Sequence, residues 1–235
     1  MANDNHKYFS LIIPCYNESL NIPKLFKQIR FNQKKIEFEV IIIDNGSTDN
    51  SLKIINLNKK LIKKFKLIKV KKNIGFGHAV KLGIIRSKYD LVCYTHGDLQ
   101  IDIKNCIKAF SIFKNQKNKN VLIKGRRLGR SFIDLFFTFG MSSINTILFR
   151  SYLYDIHAQP NLFLKVSKNL ISHAPNDMSI DLFFYAYFKS KNYEVLKFNI
   201  FFKNRIFGEG SNIGIKKLKN SIFSLISSLK ILRVM

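Results

Sequence analysis

This 235-residue chain has no tryptophan, and its other scarcities narrow its class. Cysteine occurs only at Cys15, Cys93 and Cys106, an odd number without C-x-x-C spacing. That argues against a disulfide framework or a zinc site and makes a reducing, cytosolic compartment the expectation. Long apolar runs are missing too. The longest uncharged stretch, residues 135–149, is interrupted by Gly140, Ser142, Ser143 and Asn145, whereas a membrane span needs about 20 predominantly apolar residues. Residues 1–7 are polar, so no signal peptide is expected. With no internal repeat and no Pro- or Ser-rich linker, one domain in two lobes (residues 8–113 and 114–214) with a C-terminal amphipathic helix (215–235) is the simplest organisation. Carboxylates are the scarcest charge: 15 Asp and Glu face 40 Lys and Arg, for a net +25. Such a chain suits nucleic acid, an anionic membrane or phosphorylated small molecules. Lys, Asn and Ile crowd it throughout, so part of that charge reflects base composition. The 46% apolar fraction suffices for a full core and excludes a disordered basic tail.

What is present alternates apolar runs with helical periods. The pattern predicts strands over residues 9–13 (ended by Pro14), 38–43, 66–70 and 91–94, with helices over 21–30, 51–65 and 78–87. The fold class is therefore α/β, a mostly parallel central sheet flanked by helices, with the loops after Ile13, Ile43, Val70 and Tyr94 sharing one edge. Beyond a Lys- and Asn-rich stretch at 114–120, the chain reads as a short strand (121–125), a basic turn (126–130) and an apolar stretch (131–149). A helix (179–189), a strand (194–202), a Gly-containing loop (205–214) and a last helical period (218–232) follow.

The shared edge would carry Pro14, Cys15, Tyr16, Asn17 and Glu18, then residues 44–49, then NIGFG at 73–77, then His96, Gly97, Asp98, Leu99 and Gln100. Carboxylates at strand ends suit a hard divalent cation and hydrogen bonds to hydroxyls and amides. Asp44 and Asp49 also have an ordinary reading as turn and capping residues.

LIIPCYNES, VIIIDNGSTDNS, NIGFGHAVKLGI and THGDLQ, in this order, resemble the nucleotide-binding half of the family 2 glycosyltransferases of GT-A fold. KGRR, DIHAQPNLF, IDLFFYAYFKSKNYEV and NRIFGEGSN resemble the polyprenyl-phosphate (dolichol-phosphate) mannose and glucose synthases within them. The resemblance covers about residues 8–212. It implies that Pro14, Tyr16, Asn17 and Glu18 line the base and ribose pocket, that Asp44 accepts hydrogen bonds from base or ribose, and that Gly75 and Gly77 let backbone approach the donor. Asp98 would be the second aspartate of the family's D-x-D, holding Mg2+ or Mn2+ with Gln100. His96 stands where the family usually has the first aspartate. It would ligate the metal, bond a diphosphate oxygen, or stand aside. Arg127 and Arg205 would hold an acceptor phosphate, with Arg130 a weaker third.

These roles imply a metal-dependent, inverting hexosyl transfer from a UDP- or GDP-sugar to a polyprenyl phosphate at the cytoplasmic membrane face. A phosphate acceptor is already an anion and needs no general base, whereas a sugar hydroxyl in surface-polysaccharide or lipid-linked oligosaccharide synthesis would need a carboxylate such as Asp155, Asp177 or Asp181. A non-catalytic basic binding protein is the rival of another class; nothing resembles a nucleic-acid reader. The 131–149 stretch, flanked by Arg130 and Arg150, fits either a buried helix or the membrane interface. The eight lysines within residues 59–72 read as a solvated face. Relatives of this branch often carry C-terminal spans, so peripheral attachment or a separate membrane partner is expected.

Overall fold

A computed structural model describes residues 6–203 and 215–235, with backbone alone at 215–220. Seven strands form one sheet: β1 (Ser10–Cys15), β2 (Glu39–Asp44), β3 (Phe65–Lys69), β4 (Leu91–Tyr94), β5 (Val121–Leu128), β6 (Asn161–Leu164) and β7 (Glu194–Phe201), in the order β3-β2-β1-β4-β6-β5-β7. β1 runs parallel to β2 and β4, β2 to β3, and β5 to β7. Only β6 is reversed, antiparallel to β4 and β5.

The helices are α1 (Ile22–Gln33), α2 (Ser51–Asn58), α3 (Phe76–Arg86), α4 (Lys104–Lys114), α5 (Phe132–Leu148), α6 (Lys168–His173), α7 (Ile180–Ser190) and α8 (Ile215–Val234). Successive strand residues feed opposite layers, as a period of two requires. Leu11, Ile13, Val40, Ile42, Leu91 and Cys93 pack in the layer that includes α1 and α4. Ile12, Ile41, Ile43, Val92 and Tyr94 pack in the layer that includes α3 and α7. Both faces are covered, so β1, β2 and β4 read as continuous apolar runs.

Several boundaries depart from the sequence pattern for local reasons. Pro14 stays inside β1, opposite Ile43. Phe9 and Cys15 present their carbonyls toward β2, while Ile12 accepts from Thr95 on the β4 side. Pro14 shares that second side, beyond the last β1–β4 partner, so its missing N–H breaks no ladder bond. The helix expected over 51–65 stops at Asn58 and continues as one 3-10 turn. Gln33 ties off the following segment by bonding Lys63 N–H and C=O, and Lys64 takes a left-handed conformation before β3. The expected basic turn at 126–130 is strand as far as Leu128, because Arg126, Arg127 and Leu128 pair with Asn199, Ile200 and Phe201 of β7. α4, β6 and α6 are additions to the expected list. All eight lysines of 59–72 are exposed, as a solvated face requires.

Candidate active site

The direction of the strands places the chemistry. The C-terminal ends of β1, β2 and β4 open on one edge, and reversal of β6 brings its first residue, Asn161, opposite Tyr94, the last of β4. The loop that leaves β4 and the segment that enters β6 therefore meet.

On the β1–β2 side the two loops are laced together. Asn17, at φ 55°, accepts from the Thr48 N–H at 2.8 Å and donates to the Thr48 hydroxyl at 3.2 Å. Glu18 N–H donates to Ser51 Oγ, and Ser19 N–H to Asp49. Asp49 also accepts from Ser51 N–H, a turn contact two residues on, while the N-cap position of α2 is Asn50. Partial burial pushes its carboxyl up, but the bonds from Ser51 and Ser19 outweigh this and hold it below its ordinary value. Pro14 is buried in β1, Tyr16 is exposed, and Asp44 is buried at the end of β2 with Ser47 N–H on its carboxylate. Cys15 is a buried thiol pushed well up by burial, then by the charges of Glu18, Asp44 and Asp98. One sulfur thus feels all three carboxylates, two from the loops after β1 and β4 and one from the end of β2.

Gly75 and Gly77 allow a close approach, but the partner is protein. A Cβ on Gly75 (φ 124°) would fall on the carbonyl of Asn176, and one on Gly77 on those of Pro175 and Asp177. His78 N–H donates to the Asn176 carbonyl at 2.9 Å. These glycines seat the α3 N-terminus against the loop before α7, while Asn45 bonds Asn73 and the Gly75 carbonyl from below.

After β4, Asp98 is buried and accepts from Gln100 N–H at 3.1 Å. Gln100 donates to the Lys203 carbonyl and accepts from Lys203 N–H, so the end of β7 is tied to this loop. The His96 ring packs on Phe76, with centroids 4.4 Å apart. No cluster of three or more His, Cys, Asp or Glu suited to a metal occurs among the described residues. Asp98 and the Gln100 amide are hard oxygen donors of the kind a divalent cation takes when substrate phosphates supply its other ligands.

On the β5–β6 side, Asp155 (φ 49°) receives Nε of Arg127 at 2.8 Å, its Nη2, and its backbone N–H at 2.8 Å. Arg130 Nη1 lies 3.8 Å away. Burial pushes the Asp155 carboxyl up, but the Arg127 charge and bonds, with the Arg130 charge, hold it below its ordinary value. Arg205 and the rest of its motif lie outside the described residues.

Beneath this edge sits a polar core that the sequence did not signal. Lys124 is fully buried and donates to the carbonyls of Ile156 and Ala158 and to Asn161 Oδ1. Asp181, weighed above as a base, is buried rather than at the surface. It accepts from Tyr94 Oη at 2.7 Å and from Asn161, with His157 Nδ1 at 3.4 Å. Asp177 accepts from Ser179 N–H at the start of α7. The only available hint was the position of Lys124 inside a run of strand residues.

Comparison with known proteins agrees with this geometry. The family model for glycosyl transferase family 2 matches residues 10–136, more than half of the chain, and the chain belongs to that family of sugar-transferring enzymes. A dolichyl-phosphate beta-glucosyltransferase of Dictyostelium discoideum is 34% identical over 131 residues, covering 51% of this chain and 40% of the relative. An undecaprenyl-phosphate 4-deoxy-4-formamido-L-arabinose transferase of Aeromonas hydrophila is 35% identical over 104 residues, covering 43% and 32%. The chain thus spans less than half the length of these curated relatives. Glucosyl-3-phosphoglycerate synthase from Mycobacterium tuberculosis, solved with Mn2+, UDP and glucosyl-3-phosphoglycerate, superposes with TM-score 0.70 at 14% identity, over 95% of this chain and 80% of that one. That likeness is one of fold, and the fold is GT-A.

Proposed function

We propose that this chain moves a hexosyl group from a UDP- or GDP-sugar to a polyprenyl phosphate, with inversion, at the cytoplasmic face of a membrane. Residues 8–113 would hold the donor and 114–214 the acceptor within one domain. The observation that carries this reading is the placement of Glu18, Asp44 and Asp98 at the C-terminal ends of β1, β2 and β4, the edge on which Arg127, Arg130 and Asp155 also gather. Pro14, Tyr16, Asn17 and Glu18 would border the base and ribose, and Asp44 would accept from them. Asp98 and Gln100 would hold Mg2+ or Mn2+, which when bound stabilises charge on the departing diphosphate. Gly75 and Gly77 serve the donor indirectly, by fixing the α3 N-terminus.

The bonding of the acids supports a phosphate acceptor over a sugar hydroxyl. Asp155 is engaged by Arg127, Asp181 by Tyr94 and Asn161, and Asp177 by Ser179. A phosphate oxygen attacks the anomeric carbon with its own electron pair. The bond to the diphosphate breaks, its electrons leave with the nucleoside diphosphate, and no proton has to be removed. Arg127 and Arg130, oriented by Asp155, would receive the acceptor phosphate. Dolichyl- and undecaprenyl-phosphate transferases among the relatives point the same way. Thermal shift with UDP-, GDP- and CDP-sugars, with and without Mn2+, tests the reading. A metal-dependent shift with one donor class is expected, and none with any donor would overturn it.

A further inference from the structure

α5 and α8 are amphipathic in the wrong sense for a helix facing water. In α5 the two buried residues, Ser142 and Asn145, are both polar; Asp134 and Thr138 on the same stripe are half-buried, as are Phe137, Met141 and Leu148 beside it. The opposite stripe is apolar and open: Phe132 is 83% exposed, Phe136 69%, Phe139 66% and Ile147 76%. α8, which packs beside α5, repeats the inversion in part. It buries Ser227 and Ser228 along with Ile231, and exposes Ile222, Phe223, Ile226 and Leu229. A water-facing helix buries its apolar stripe. Two neighbouring helices that both bury serine and display phenylalanine and isoleucine are built for a non-aqueous neighbour, against which small residues let helices approach closely. Neither helix is long and apolar enough to cross a bilayer.

We propose that the outer faces of α5 and α8 form one docking surface that lies in the interfacial layer of an anionic membrane. Charge selects this occupant. Arg150, Lys230 and Arg233 are exposed at the C-terminal ends of the two helices. α8 contains no Asp or Glu, and the single acid of α5, Asp134, is half-buried and bonded by Ser131. Cations beside an interfacial apolar face meet lipid headgroups, whereas a second copy of a +25 chain would set like charge against like. Only the N-cap Ser131 separates α5 from Arg130, whose Nη1 donates to the Thr138 hydroxyl within the helix. A docked membrane would therefore bring its headgroup level to the Arg127–Asp155–Arg130 cluster. That alignment rests on the polyprenyl-phosphate reading; the docking surface itself does not.

Co-sedimentation with vesicles of phosphatidylcholine alone and of phosphatidylcholine mixed with phosphatidylglycerol tests the proposal. The full chain should bind the mixed vesicles. F132S/F136S/F139S, on exposed positions that preserve folding, should weaken binding about a hundredfold, and K230E/R233E should erase the preference for phosphatidylglycerol. Undiminished vesicle binding by the triple variant would overturn the surface. So would a wild-type chain that ignores vesicles and dimerises through this face. Transfer to a water-soluble, short-chain isoprenyl phosphate separates the two readings. The triple variant should keep it, and its absence in a vesicle-binding wild type would sink the acceptor assignment while leaving the surface intact.

Discussion

Asp98 and His96 lie two residues apart, yet their surroundings differ. Asp98 is a buried carboxylate on the edge shared with Glu18 and Asp44, whereas the imidazole of His96 is packed on Phe76. Asp98→Ala should remove metal-dependent turnover, by about 100-fold or more, while His96→Ala should lower it only modestly. Steady-state transfer rates across a Mn2+ titration check both, and a normal rate for Asp98→Ala would refute the site. Lys124 yields a second residue-level expectation. Burial lowers its pKa from 10.5 to about 8, against the upward pull of Asp181 and Asp155. Between pH 8 and 10.5 the folded chain binds fewer protons there than the unfolded chain, so stability rises with pH across that window. Lys124→Met should remove up to about 1.4 kcal/mol per pH unit from that slope. Urea denaturation at pH 8, 9 and 10 measures it, and Lys197, also lowered to about 8 by burial, supplies the slope that remains.

At the scale of elements, Gly77 has no room for a side chain beside the Pro175–Asp177 backbone. Gly77→Ala should cost about 1–3 kcal/mol and loosen donor binding by shifting the start of α3; chemical denaturation and nucleotide titration read the two effects. Elements bounded by strong local contrast were legible in the sequence. β4 runs from Leu91 to Tyr94 as expected, an apolar tetrad between Asp90 and Thr95. α4 was not legible, because its inward positions include Cys106 and Ala109, weak apolar markers among lysines. The extension of β5 over residues 126–128 is fixed by pairing with β7, some seventy residues away, which no local pattern contains. The same holds for the burial of Lys124 and Asp181, whose partners are remote in sequence. The apolar period of α5 was visible, but which way it faces depends on what packs behind it.

For the whole molecule, salt tests the proposed docking on an anionic membrane. The Debye length falls from about 10 Å at 0.1 M salt to about 3 Å at 1 M. Transfer to an acceptor embedded in anionic vesicles should therefore drop several-fold over that range, while transfer to a soluble short-chain acceptor changes much less. Parallel rate measurements on both acceptors decide it. The four motifs of the donor half made that half readable, and all four lie within the span that the family model covers. The acceptor half is held by contacts with fewer sequence markers.

The reversed strand β6 also has a consequence for how the chain is made. It lies between β4 and β5, yet arrives after both in the sequence. Until about residue 164 emerges from the ribosome, β4 has one unsatisfied ladder, and β5 has no neighbour at all, since β7 comes later still. An open strand edge of this kind invites pairing with other chains. A fragment ending at residue 136, where the match to the family model stops, should therefore aggregate when expressed alone. One extended through β7 should stay soluble, a contrast that a sedimentation assay on lysates would reveal.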